Sequence, residues 1–295
     1  MMADFGECVR PDENMKKRLI RSMYALAVAD AVGNPFEFLH RDEFSKADVI
    51  HYADNATELR ISDDTQMTLF GFEALSRFLK GQNITEKLIT EFTKSYVEWY
   101  LTQTTSLKTE SGLRSFDSMF HIEAPGNTCM SACQKLSFGI EPVNDSNGCG
   151  AIMKLLPVFG LSSPLAMGIK YNSGKIANIT HKSPKARDSV YAIIKYVNEF
   201  EYLDPITDIT DIEHIGGGWD AETCGKMSIW AFEKSNTYEE LLVNSIWHSG
   251  DSDSVAAVSG MIWGMCYASG APDKYINKLN ALDALKYVEK LINSM

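Results

Sequence analysis

Two short segments of this chain concentrate oxygen ligands: Ser62-Asp63-Asp64-Thr65 and Asp251-Ser252-Asp253-Ser254. Each stands just before apolar residues at helical spacing. Four carboxylates with several hydroxyls, and neither cysteine nor histidine among them, suit a hard divalent cation such as Mg²⁺ or Mn²⁺. Brought together by the fold, they would hold one or two metal ions and build a hydrolytic site. Taken singly, each has a plainer use. Serine and aspartate cap the free N–H groups of a helix start, and acidic residues suit the positive end of its dipole. The Asp251-x-Asp253 spacing opens like a calcium loop, but no glycine and glutamate follow where that loop needs them. The chemistry turns on whether the two segments meet.

Other candidates surround them. Glu37 follows Gly33 and Pro35, which close the first predicted helix. It is either a solvated loop acid or a carboxylate in a partly apolar cleft, tuned as a base or water-holder. Pro125-Gly126-Asn127-Thr128 and Asn144-Asp145-Ser146-Asn147-Gly148-Cys149-Gly150 are both expected to lead into helices. Backbone N–H groups at such starts suit a phosphate or diphosphate, with ordinary turn chemistry as the alternative. Neither loop matches a dinucleotide or P-loop fingerprint. Gly216-Gly217-Gly218-Trp219 is a third flexible loop, followed by Asp220 as a helix cap. His181 stands alone, and a lone histidine is more often structural than catalytic. No histidines are spaced for a zinc triad and no G-x-S-x-G elbow exists, so zinc and serine hydrolysis lack support.

The elements that must position these residues are helical. Leu19, Ile20, Met23, Tyr24 and Ala27 recur at three- and four-residue steps. A second helix is predicted from Asn83, with Glu86 completing a capping-box spacing. Further stripes run through Val190, Ile193, Ile194 and Val197, through Val255, Val258 and Ile262, and through a last helix at about Ala281 to Asn293. Thr237 and Glu240 repeat the capping-box spacing ahead of Leu241. Long loops are expected at Leu39 to Ser62, Ser106 to Thr128, Gly139 to Gly150 and Glu201 to Gly218. Short β-rich pieces such as Val49 to Tyr52 are too few to build a sheet. The expectation is one compact all-α domain, an orthogonal helical bundle spanning 1–295 with its core from about residue 14.

Composition narrows the function. A net charge of -11, with no block of Lys and Arg, argues against nucleic-acid binding as the main task. No apolar run approaches the roughly eighteen residues that cross a bilayer. No signal peptide is read in Met1 to Arg10. The six scattered cysteines lack a CxxC pair and read as reduced thiols, so a cytoplasmic protein is expected.

Taken in order, these pieces resemble the ADP-ribosylglycohydrolase family, which includes the dinitrogenase-reductase-activating glycohydrolases. The likeness runs from about Arg18 to Gly270. It rests on Asp30-Ala31-x-Gly33-x-Pro35-x-Glu37-Phe38, Ser62 to Thr65, Pro125 to Thr128, Gly148 to Met153, Thr180-His181, Gly216 to Trp219 and Gly250 to Ser254. The resemblance implies a compact all-α domain with two Mg²⁺ or Mn²⁺ ions at the base of an ADP-ribose cleft. By position it implies that Ser62, Asp63, Asp64 and Asp253 ligate one metal. Asp251, Asp253 and Ser254 would ligate the other, with Asp253 bridging. Glu37 matches the acidic residue at the cleft mouth. Asn127, Ser131, Asn147, Gly148, Cys149, Gly150 and His181 match segments that contact ADP-ribose. Serine replaces the family's common threonine at Ser62 and Ser254, keeping a hydroxyl ligand, and Ser249 and Ala29 stand where glycine is common.

The implied activity is metal-dependent hydrolysis of the bond joining ADP-ribose to a protein side chain, arginine first, with Asp63, Glu37 and Asp253 catalytic. Its partners would be ADP-ribose and ADP-ribosylated protein, with the chain a monomer, bound to neither nucleic acid nor membrane. An antitoxin role against an ADP-ribosylating toxin is a refinement. The rivals are a non-catalytic ADP-ribose- or partner-binding module on the same fold, and a purely structural helical protein.

Overall fold

Asp12 begins the first helix: its carboxylate accepts the Met15 N–H at 2.7 Å and starts α1, Glu13–Gly33. A computed structural model describes residues 10–81, 85–161, 166–200 and 209–295. After α1 come α2 (Lys46–Asn55), α3 (Asp63–Lys80), α4 (Thr85–Thr104), α5 (Asn127–Ser137) and α6 (Ala166–Ala177). The chain continues with α7 (Pro184–Glu199), α8 (Ala221–Glu233), α9 (Tyr238–Ile246), α10 (Ser252–Cys266), α11 (Asp273–Ile276) and α12 (Leu282–Asn293). Among the described residues there is no strand, only two isolated bridges, Leu59 with Leu279 and Gly148 with Asp220. The chain is a single compact all-α domain.

Its centre is an antiparallel pair, α1 against α10, pressed closer than ordinary side chains permit. A Cβ on Gly264 would lie 2.2 Å from Ser22 Cα, and one on Gly260 would lie 2.4 Å from the Ala25 carbonyl oxygen. At the other end of the pair, a Cβ on Gly33 would lie 2.8 Å from Asp253 Cα. Small residues thus let the backbones touch, and the polar groups trapped there find partners. Ser22 Oγ donates to the Met261 carbonyl at 2.6 Å, while Arg18 and Arg21 Nε donate to Met265 and Gly264 carbonyls at 2.8 Å. The register this fixes brings the C-terminus of α1 against the N-terminus of α10. A second layer, α3 on α4, buries Phe70, Phe72, Tyr96 and Trp99. Ser95 Oγ donates to the Phe70 carbonyl at 2.6 Å and Trp99 Nε1 to Gln66 Oε1 at 3.0 Å.

The predicted helices at α1, α3, α7, α9, α10 and α12 are present. Val49 to Tyr52, read as a β-rich piece within a loop, is instead part of α2. Ser45 and Asp48 form a reciprocal capping box there, which outweighs the β-branched Val49 and Ile50. The Asn144 to Gly150 loop leads only into a 3₁₀ turn, Cys149–Ala151. At α9, Thr237 Oγ1 accepts the Glu240 N–H, but the Glu240 carboxylate turns to the Asn236 N–H rather than to Thr237. The predicted start at Asn83 lies outside the described residues.

Candidate metal centre

The two acidic segments meet because the end of α1 holds both. Asp30, fully buried in α1, points its carboxylate at the start of α3. It accepts the Ser62 N–H at 3.0 and 3.1 Å, the Thr65 N–H at 3.2 Å, and the Thr65 hydroxyl. A side chain of one helix thereby caps the next. One turn later Gly33 abuts Asp253 at the start of α10, where Asp251 caps by accepting the Ser254 N–H at 3.3 Å. Both segments do serve as helix caps, and capping aims their remaining oxygens into shared space.

That space is a cleft of about 300 Å³, lined by Glu37, Asp63, Asp64, Asp251, Asp253 and Ser254. Carboxylate oxygens of Glu37, Asp251 and Asp253 lie within 4.8 Å of one another. The four aspartates are buried and Glu37 is half-buried. None of the five forms an ion pair among the described residues. Burial first, and then the charge of Asp253, pushes Asp63, Asp64, Asp251 and Glu37 above the usual carboxylate range. Burial likewise raises Asp253 and Asp30. The Gly126 N–H, 3.4 Å from Asp63 Oδ2, partly opposes this at Asp63. Like charges gathered away from water demand either protons or a cation.

The donor set fits a divalent metal. It is all oxygen and rich in carboxylate, and Asp64 Oδ1 is buried with no hydrogen-bond partner. Ser62 lies beneath the cleft rather than on its wall. Its hydroxyl caps the Asp64 N–H at 3.3 Å and donates to Asp64 Oδ2 at 3.2 Å. The Ser254 hydroxyl donates toward Cys149 Sγ at 3.6 Å.

Around the carboxylates the loops converge. Gly250 sits at φ +150°, and a Cβ there would lie 2.1 Å from the Gly217 carbonyl oxygen, which accepts the Asp251 N–H at 2.8 Å. Only glycine allows the triple-glycine loop to lie so directly on the second acidic segment. Asn127, Gly148, Cys149, Gly150 and His181 all line the cleft. Asn147 stands behind its wall, where its carbonyl accepts the Ala221 N–H at 2.7 Å. Ser131 is exposed on α5 and donates to the Thr128 carbonyl at 3.3 Å, away from the lining.

Several residues at the site had no role assigned from sequence. Asp30 belonged to the recognisable pattern, but nothing local says that it caps a helix 32 residues later. Phe38 and Trp219 form an aromatic edge at the mouth, stacked with ring centres 5.3 Å apart. Phe38 adopts φ +68° and is 66 % exposed, a costly conformation for an apolar residue. Its position directly after Glu37 was the available signal. Lys154, fully buried below the floor, carried no sequence signal beyond its charge.

The architecture has relatives. A solved ADP-ribosylglycohydrolase-related protein complex contains a chain that superposes with a TM-score of 0.64 at 18 % identity, covering 96 % of this chain and 99 % of that one. At that identity the likeness concerns the fold. No curated protein matches the sequence. The family model for ADP-ribosylglycohydrolase matches residues 11–295. With the two acidic segments converging in one cleft, this chain belongs to the ADP-ribosylglycohydrolase family.

Proposed function

We propose that this protein is a cytoplasmic, metal-dependent hydrolase that removes ADP-ribose from modified protein side chains, with ADP-ribosylarginine as first substrate. Family membership supports hydrolase activity of the ADP-ribosylglycohydrolase type. The observation that carries the finer reading is the convergence of Asp63, Asp64, Asp251, Asp253 and Glu37 on one cleft with no ion pair to any of them among the described residues, the charge of Lys154 acting weakly and on Asp63 alone. Asp63, Asp64 and Asp253 would hold one Mg²⁺ or Mn²⁺, joined by Ser62 if its hydroxyl turns from Asp64, and Asp251, Asp253 and Ser254 the other. When bound, the cations would supply charge balance, orientation of ribose hydroxyls and a water of lowered pKa.

The chain's own residues have separable tasks in this proposal. Glu37 stands at the acidic cluster with its carboxyl pushed up by burial first and then by its neighbours, and the burial remains when cations balance those neighbours, so it is suited to hold and give up a proton. It would pass that proton to the departing side-chain nitrogen, or hold the attacking water, from the cleft mouth. Asp63 would serve as base on the opposite wall. The Gly148 to Gly150 turn, which lines the cleft without side chains at its two glycines, and the Asn127 helix start would seat the diphosphate. The Phe38–Trp219 edge excludes water from one side of the mouth. Reversal of mono-ADP-ribosylation is the biological task we assign, including use as an antitoxin against an ADP-ribosylating toxin.

The test is release of ADP-ribose from ADP-ribosylarginine by purified protein with Mg²⁺ or Mn²⁺. Release should stop with chelator and in Asp253→Ala. Binding of ADP-ribose without any turnover would instead establish the non-catalytic module.

A further inference from the structure

Beneath the cleft floor lies a buried cation that the proposed chemistry leaves unused. Lys154 is 0 % exposed and forms no ion pair among the described residues. A buried ammonium is costly unless its hydrogens find acceptors. Lys154 Nζ donates to Thr180 Oγ1 at 2.6 Å, and stands 3.9 Å from Cys129 Sγ and 5.2 Å from the centre of the Tyr96 ring. The hydroxyl is the strongest acceptor of the three.

Thr180 Oγ1 in turn lies 2.9 Å from His181 Nδ1. A hydroxyl has one hydrogen to give, and accepting from an ammonium makes it a better donor and a poorer acceptor. Cys129 Sγ, also bonded to Thr180, is the weaker acceptor, so the hydrogen goes to His181 Nδ1 and leaves the ring proton on Nε2. Nε2 faces the glycine loop: a Cβ on Gly148 or on Gly150 would approach it to 3.2 Å. Both glycines and His181 line the cleft. Burial, and secondarily Lys154, holds this imidazole well below the usual histidine range, so the ring is neutral. A single N–H is thus turned toward a cleft whose lining also carries the carboxylates of Glu37, Asp63, Asp64, Asp251 and Asp253.

We infer that Lys154 and Thr180 are positioning residues that fix His181 as its Nε2–H tautomer, presenting one neutral donor to an oxygen of a sugar diphosphate in the cleft. The opposite tautomer would set a lone pair against that oxygen and repel it. The ligand's identity rests on the ADP-ribose reading above; the tautomer does not.

The experiment is ¹⁵N NMR of the full chain labelled at histidine, paired with calorimetric titration of ADP-ribose. The unaltered protein should show an unprotonated Nδ1 and a protonated Nε2 for His181. Thr180→Val should turn that signal into a tautomer mixture and weaken ADP-ribose binding about tenfold. Thr180→Ser should restore both, and Lys154→Met should move both in the same direction as Thr180→Val. A proton on Nδ1 in the unaltered protein overturns the relay. So does a Thr180→Val variant that loses affinity with its tautomer unchanged, since that marks a merely structural role. An Nε2–H tautomer in a protein that binds no ADP-ribose supports the relay and overturns the reading of the ligand.

Discussion

Helix α3 carries buried carboxylates at two places and treats them in opposite ways. Near its middle, Glu73 Oε1 accepts the Leu113 N–H at 3.1 Å and the Tyr287 hydroxyl at 3.0 Å, while Arg77 lies 3.4 Å from Oε2. Arg77 also reaches Glu91 at 3.1 Å, Glu98 at 3.2 Å and Ser95 at 3.0 Å. Burial still raises Glu73, but Arg77, Tyr287 and Leu113 all pull it back. At the N-terminus of the same helix, Asp64 receives one hydroxyl, leaves Oδ1 without a partner, and faces Asp63, Asp251 and Asp253. Charge is balanced internally where the helix is structural. Where it borders the cleft no ion pair among the described residues balances it and the only charge opposing the shift is that of Lys154, acting on Asp63, and that difference separates the two ends of the helix.

The comparison is broken most directly by Asp253→Ala. It removes the carboxylate that raises Asp63, Asp64, Asp251 and Glu37 alike, and that both proposed metal positions would share. Hydrolysis should fall about a thousandfold, several kcal/mol of transition-state stabilisation. An enzyme that kept its rate would show that the cluster is not the centre. Addition of Mg²⁺ or Mn²⁺ comes next. At a hundredfold excess over Kd it should stabilise the fold by about 2.7 kcal/mol, read as a shift in the urea midpoint that EDTA reverses. Absence of any shift would leave the cluster as an unexplained cost.

How much of this was legible beforehand follows from what is local. The starts of α3 and α10 could be read because serine and aspartate cap within one turn of their own position. Both acidic segments were visible for the same reason. The α2 helix was missed although Ser45 and Asp48 carry the capping signal, because Val49 and Ile50 between polar residues look like a strand fragment. Asp30 acts 32 residues away, and Lys154 reaches His181 through Thr180, 26 residues on. Neither link has a spacing that sequence periodicity can show. The convergence itself depends on Gly33, Gly260 and Gly264, whose meaning appears only once α1 and α10 are paired.

The pH dependence should report chiefly on the cleft end of α3, where several carboxylates are raised together and Arg77 opposes none of them. The cleft carboxylates have folded pKa values raised above their unfolded ones, so their contribution is fully present below the unfolded values. It is lost as pH rises through the folded ones. In EDTA the protein should therefore lose stability from about pH 4 upward through neutrality, by about 1.4 kcal/mol per pH unit for each proton released. With saturating Mg²⁺ or Mn²⁺ the slope should flatten or reverse, because ionised ligands bind the cation better. Identical slopes with and without the cation would uncouple the cluster from metal.

The smallest effects distinguish the regions most sharply. Asp64→Asn preserves shape at an oxygen that has no partner and removes one of several like charges. In EDTA it should raise stability by about 1 kcal/mol, while abolishing cation-induced stabilisation. Glu73→Gln keeps an acceptor for the Leu113 N–H and the Tyr287 hydroxyl but loses its charge toward Arg77, which is one-third exposed and retains Glu91 and Glu98. It should change stability by less than about 0.5 kcal/mol, because burial and Arg77 act on Glu73 in opposite senses, and leave hydrolysis unaltered. Two near-isosteric neutralisations on one helix should thus differ in size, a rise at Asp64 against little change at Glu73. An equal rise at both would mean that burial alone, and not the missing counter-charge, governs both places.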